Sequence, residues 1–287
     1  MADGKVTIDT DLNTSGLTKK LDGLGSTIKS SLGTVATTAI KGTAIAIAGT
    51  TTAIAGLTAQ ATTAYATYEQ MVGGVNTLFG TGDKSLEEYA QSVGKSTEEV
   101  KDKYNSLLSA QDTVMKNAAN AYRTAGVSAN QYMEQVTGFS ASLIQSLSGD
   151  TEKAAEYADR ALIDMSDNAN KMGTAMESIQ WAYQGFAKQN YTMLDNLKLG
   201  YGGTKAEMER LIADASQMTD IQNELNVSVQ EGDLSFGNIV NAISVMQKNL
   251  GIAGTTAKEA QTTIEGSTKM MRASWENLLV GISDDTQ

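Results

Sequence analysis

The stretch TAMESIQWAYQGFAKQNYTMLDNLKLGYGGTKAEMERLIADA, residues 174–215, decides how the chain folds. Met176, Ile179, Tyr183 and Phe186 recur at spacings of three and four, which places them on one face of a helix. Thr174 and Glu177 have the spacing of a capping box, so the helix is expected to open at Thr174. Thr204 and Glu207 repeat the device, and Met208, Leu211, Ala215 and Met218 continue as an apolar stripe. Between the two helices, Met193, Leu194 and Leu197 lead into Gly200-Tyr201-Gly202-Gly203, where a positive φ carries no steric cost at the glycines. The stretch is therefore expected to fold back as a helical hairpin.

Outward from this stretch, composition argues the same way. The chain has 287 residues with no proline, cysteine or histidine, and only four Phe and two Trp. Proline interrupts the helical hydrogen-bond ladder, so its absence suits long helices. Without cysteine there is no disulfide or thiolate chemistry. Without histidine the commonest general base and metal ligand are missing, and neither a cofactor nor a metal site is expected. A formal net charge of −11 opposes specific nucleic-acid binding, which needs clustered Lys and Arg to displace counterions from phosphate. The start, MADGKVTIDTD, lacks a basic region followed by an apolar one, so no secretory signal is read there.

Toward the N-terminus, Val6 and Ile8 alternate with Thr7 and Asp9, a pattern that fits a short strand or a frayed end over residues 1–12. Residues 13–69 read as an amphipathic helix with the stripe Leu17, Leu21, Leu24, Ile28, Leu32 and Val35, followed by an uncharged Ala/Thr/Gly-rich segment. Gly42 to Tyr68 is 27 residues without a charge, long enough to cross a hydrocarbon core of about 30 Å. Eight threonines, three glycines and Gln60 oppose insertion, and two readings stay open: a helix packing closely against copies of itself, or a membrane-active segment.

Residues 70–283 read as a helical domain. Ser85 with Glu88, Ser96 with Glu99, and Ser128 with Gln131 mark three helix starts, and Gly94 and Gly126 supply breaks. Val100, Tyr104, Leu107, Met115 and Tyr122 trace the apolar side of a helix from Thr97 to about Thr124; Met133, Val136, Leu143 and Leu147 do so for the next. Gly149-Asp150 opens a helix with Ala158, Leu162, Met165, Ala169 and Met172 on one face. A polar link after Met218 leads to the stripe Phe236, Ile239, Ile243, Met246 and Leu250, ended by Gly251 and Gly254. Thr256 with Glu259 caps a last helix carrying Ala260, Ile264, Met271, Trp275 and Leu278, and residues 284–287 follow it. The fold class is all-α: an elongated array of helical hairpins behind a long Ala/Thr/Gly-rich N-terminal helical segment.

Chemistry is sparse. Gly200 to Lys205 before a helix superficially suggests a phosphate cradle, but the G-K-[ST] order is absent and no β-branched strand precedes it, so a structural turn is expected. Asp164, Asp167 and Asp195 fit a solvated helix face better than an acid and base pair for glycoside cleavage, which needs carboxylates across a cleft with divergent pKa values. No catalytic residue is expected. The thirteen methionines fall mostly on apolar faces and read as core. Trp181 and Tyr183 fall on adjacent faces of one helix, leaving one of the two to anchor a partner.

The run AYQGFAKQNYTMLDNLKLGYGGTKAEMERL resembles the signature of the tape measure proteins of long-tailed bacteriophages and prophages. ALIDMSDNANKMG at Ala161 to Gly173, and LGIAGTTAKEAQTTIEGS followed by Ser274-Trp275-Glu276-Asn277-Leu278-Leu279, resemble the same family, so the likeness covers roughly residues 66 to 283 in order. Its motif and turn residues are Tyr183, Gly185, Phe186, Leu194, Asp195, Leu197, Gly200, Gly202, Gly203, Thr204, Met208 and Trp275.

The resemblance implies a structural virion protein that sets tail length and leaves the tube ahead of the DNA. It also implies self-association in a multi-copy bundle and contacts with tail-tube, tail assembly chaperone and baseplate proteins. Such a protein is made in the bacterial cytoplasm and resides in the tail lumen, with host membrane contact during genome ejection. Even as one unbroken helix, 287 residues span only about 430 Å at 1.5 Å per residue, so the resemblance implies a longer parent and an anchoring or assembly role for this part. A competing class is a helical membrane-inserting or pore-forming effector built on Gly42 to Tyr68.

Overall fold

The computed structural model describes residues 51–262 and 264–284. The expected strand at Val6 and Ile8, the stripe from Leu17 to Val35, the first part of the Gly42 to Tyr68 segment and residues 285–287 lie outside it. Among the described residues there are eleven α-helices, one 3-10 turn and no strand, so the chain is all-α. No described helix is long and apolar enough to cross a membrane.

The first helix, α1 (Thr51–Phe79), passes through the expected boundary at 69/70 without a break, and its Val75 and Phe79 enter the core. Helices α2 (Leu86–Val93), α3 (Thr97–Thr124) and α4 (Ala129–Ser146) start where the sequence places them. At Ser85, Ser96 and Ser128 the serine side chain accepts the N–H three residues on, and that residue's side chain accepts the serine N–H in return. Each box therefore satisfies two of the backbone donors that a helix start leaves free.

Helix α5 (Thr151–Met172), capped by Asp150 accepting from the Lys153 N–H, is the centre of the bundle. It packs on α3 and α4, on α6 (Met176–Ala187), on α9 (Phe236–Asn249) and on α10 (Thr255–Thr262). On the two helices, which pack on each other, Ala110, Val114, Ala118 and Ala121 of α3 and Ala154, Ala155, Ala158 and Ala161 of α5 are all buried, seven of the eight being alanine. Small side chains let the two axes approach, which is why the buried line of α3 runs through alanines more than through Tyr104, Met115 and Tyr122, which are only half-buried. Leu162 and Met165 of α5 and Met133, Val136 and Leu143 of α4 are fully enclosed, each contributing about 1.5–3 kcal/mol of apolar burial.

Several sequence expectations are corrected. Helix α6 begins at Met176 with Ala175 as N-cap and no side-chain cap; Thr174 instead donates its hydroxyl to the Asn196 carbonyl. Thr174 thus lies one residue before the N-cap, with its hydroxyl bonded to the 3-10 turn η1 (Leu194–Leu197). The polar link after Met218 contains a further helix, α8 (Thr219–Leu225), which follows α7 (Lys205–Ser216) and has no side-chain cap to announce it. Helices α6 and α7 do not pack as a hairpin pair: α7 lies on α9, and α6 lies on α4, α5 and η1. The final helix is two, α10 and α11 (Ile264–Asp284), the latter packed chiefly on α1 and α10. Finally, α9 is enclosed on every side from Phe236 to Gln247, while Leu250, expected on its stripe, is the C-cap and is exposed.

Candidate functional site

The turn after η1 is closed by its own side chains. Gly200 has φ +89°, a conformation that costs a non-glycine residue about 1–2 kcal/mol. Gly202 and Gly203 do not share that conformation; a Cβ on Gly203 would collide with the Thr192 carbonyl, whereas one on Gly202 would meet only Glu207 at ordinary contact distance. Thr204 caps α7 by accepting from the Glu207 N–H at 3.2 Å, but Glu207 does not complete a box. Its carboxylate accepts the Gly202 N–H at 3.0 Å and pairs with Arg210 at 2.6 Å. Bonds from Arg210 and from the Gly202 N–H hold the Glu207 carboxyl below its ordinary range. Arg210 also donates to the Gly200 carbonyl and lies 4.3 Å from the centre of the Tyr201 ring. The anion that a phosphate cradle would hold is thus supplied by the protein itself, and the stretch is a structural turn.

The aromatic residues of the same stretch form a packed cluster. Tyr183 lies 5.9 Å from Phe186 and Phe186 lies 6.5 Å from Tyr191, ring centre to ring centre, in the range of favourable aromatic pairs. Tyr183, Phe186, Leu194, Leu197 and Met208 are all enclosed in the main core. Gly185 faces the Asn190 carbonyl, 2.9 Å from where a Cβ would stand, so the chain leaving α6 can fold directly over the helix. Asp195 is exposed. Of the Trp181 and Tyr183 pair, the tyrosine is core and Trp181 is 58% exposed, which leaves only Trp181 for a partner.

Two of the three aspartates contradict the expectation of a solvated face. Asp164 and Asp167 are 5% and 1% exposed, because α5 is covered on that side by α9 and α10. Asp164 accepts the Ser244 hydroxyl, and burial pushes its carboxyl up to about 7, with the nearby Asp167 adding to the shift and the Ser244 bond opposing it. Asp167 accepts the N–H groups of Gly254 at 2.5 Å and Thr256 at 2.8 Å, capping α10 from a different helix in place of the expected Thr256–Glu259 box. Burial raises its carboxyl too, against those two bonds. Glu259 instead accepts from the Asn170 side chain at 2.9 Å.

These bonds belong to a polar seam along α5 and α9. Asn241 accepts from Arg160 and donates to the Tyr157 hydroxyl, Ser244 meets Asp164, and Asn168 donates to the Leu197 carbonyl. The Tyr183 hydroxyl and both polar atoms of the Gln247 side chain are buried without a hydrogen bond to the protein. Burial, and then the charge of Asp164, hold the Tyr183 hydroxyl well above its ordinary pKa. Each carboxylate of the seam is committed to a hydrogen bond that joins two helices, and neither lines an open cleft. The seam sets the relative placement of α5, α9 and α10, and nothing in the sequence signalled it beyond the short aspartate spacing.

One surface cavity, of about 560 Å³, opens between α1, the start of α4 and α11, lined by Trp275 and by Gln60, Thr63, Ala64, Thr67, Asn130, Arg272, Glu276 and Leu279. The structure thus brings eleven of the motif residues into or around the core turn and places Trp275 apart from them, beside this cavity. Among the described residues no group of three or more acidic side chains is arranged to hold a metal ion. No family model, curated protein or solved structure matches the chain.

Proposed function

We propose that the chain is a structural, non-enzymatic virion protein: a tail tape measure protein or its N-terminal part, acting in phage tail assembly and tail-length determination and leaving the tail during genome ejection. Three ordered runs of sequence resemblance carry the family reading. The observation that supports a structural role is the fate of the motif residues: Tyr183, Phe186, Leu194, Leu197 and Met208 are consumed in packing, and Gly185, Gly200 and Gly203 serve backbone geometry. A motif that guarded a reaction would leave polar groups converging on an open site. Its partners in this reading are further copies of itself and the tail-tube, tail assembly chaperone and baseplate proteins, and its place is the tail lumen.

Deletion of the gene from a phage that carries it, with the wild-type copy supplied in trans as the control, tests the proposal. Electron microscopy should find no normal tails in the deletion and restored tails on complementation. Tails of normal length and number in the deletion would refute it.

A further inference from the structure

Asp164 and Asp167 stand three residues apart on α5, which makes them neighbours on one side of the helix. Asp164 meets Ser244 in the second half of α9, and Asp167 accepts from the Gly254 and Thr256 N–H groups where α10 starts. The passage from α9 to α10 is therefore tied to the central helix on both sides by two adjacent, buried acidic groups. The protonated form of Asp164 fits its surroundings. The Ser244 hydroxyl has one proton and two acceptors in reach, the Val240 carbonyl at 3.1 Å and an Asp164 oxygen. A proton on Asp164 ends that shortage, since the carboxyl then donates to the Ser244 oxygen while Ser244 donates to Val240. Asp167 has the opposite need: two backbone N–H groups at a helix start favour a charged carboxylate that only accepts.

We propose that the two aspartates form a pH latch: one proton kept on Asp164 lets a charged Asp167 hold the start of α10 on α5, and loss of that proton releases α10. Two buried like charges a turn apart repel, so the pair titrates as a unit and its second ionisation is the costly one. The surroundings offer the second charge little relief. Arg160, the cation acting on Asp164, is bonded to Asn241 and lies 5.2 Å from the Tyr157 ring centre. Tyr183 of α6 faces Asp164 with a hydroxyl whose ionisation is held up by burial and by that aspartate. Lys248 of α9 pairs with Glu224 at 2.6 Å, Lys258 of α10 is exposed, Glu259 of α10 is bonded to Asn170, and Arg123 of α3 lies over the Tyr122 ring. Burial puts the ionisation of Asp164 at about 7, so the latch is closed in mildly acid solution and opens as pH rises through neutrality. Helix α10 yields before α9 because it buries Ala260 and hangs on the two bonds to Asp167, whereas α9 is enclosed from Phe236 to Gln247. The latch concerns the chain's own fold and stands apart from the tail reading.

Hydrogen exchange of the full chain at pH 6 and pH 8, with rates corrected for the intrinsic pH dependence of amide exchange, tests the latch. Protection at residues 254–262 should fall roughly five-fold at the higher pH, while the edge helices α2 and α8, which do not touch the aspartates, keep theirs. In Asp164→Asn, whose side chain is neutral at both pH values and can donate to Ser244, protection at 254–262 should not change with pH. An equal fall in α2, α8 and α10, no fall at 254–262, or the same fall in Asp164→Asn would overturn the proposal. Should Asp164→Asn fail to fold, carbon-13 NMR of the aspartate carboxyls in the wild type gives an independent reading. One carboxyl should titrate at about 7, and exchange at 254–262 should follow the same midpoint. If no aspartate titrates above pH 6, or if the two midpoints differ by more than about one pH unit, Asp164 is not the latch.

Discussion

At the scale of single residues, Asp164 carries the clearest pH signature. Its folded carboxyl titrates at about 7, above the 3.8 of an unconstrained aspartate, so the folded state holds a proton that the unfolded state has released between these values. The stability linked to Asp164 is therefore fully present below about pH 4 and is lost as pH rises through 7. An order-of-magnitude figure is a few kcal/mol, at 1.36 kcal/mol per pKa unit. Asp164→Asn keeps a neutral acceptor for Ser244, so thermal melts of the wild type should fall between pH 5 and pH 8 by clearly more than those of the variant. Parallel profiles would contradict the burial argument. The glycines give a second, graded expectation. In urea titrations Gly203→Ala should be the most damaging, since it collides with rigid backbone. Gly200→Ala should cost about 1–2 kcal/mol, and Gly202→Ala should be nearly neutral. The sequence shows three glycines in a turn. It cannot show which is held by φ and which by Thr192, because the latter contact depends on how η1 approaches α7.

At the scale of elements, what was local was legible. Ser85, Ser96 and Ser128 cap their own helices through partners three residues away, so the starts of α2, α3 and α4 can be read directly from spacing. The misses share one cause: the deciding partner is distant in sequence. Thr174 is drawn to Asn196, and the start of α10 is held by Asp167, which lies 87 positions before Gly254. Aspartates on a helix resemble a solvated face until the helix that covers them is known. Asp167→Ala should free the Gly254 and Thr256 N–H groups and cost about 1–3 kcal/mol. Hydrogen exchange should then accelerate at residues 254–262 well before the rest of the core. Uniform acceleration across α5 and α9, or none, would show that the cap is not what anchors α10.

At the scale of the whole molecule, the helices converge on α5, and α9 is enclosed so completely that its own apolar stripe understates its burial. Helical content was readable from missing proline and regular stripes. The order of packing was not, because α5, which packs on α3 and on α9, and its two neighbours bury small or polar side chains such as Ala118, Ala158 and Ser244, which periodicity does not single out. The same core absorbs five of the motif residues, Tyr183, Phe186, Leu194, Leu197 and Met208, which supports the proposal of a structural part in a larger assembly. Mass spectrometry of purified phage particles, before and after DNA release, tests that proposal most directly. Peptides of this chain should be present in intact particles at several copies per tail and depleted from particles that have ejected their DNA. Their absence from intact particles, with the chain recovered instead from host membranes, would contradict the account.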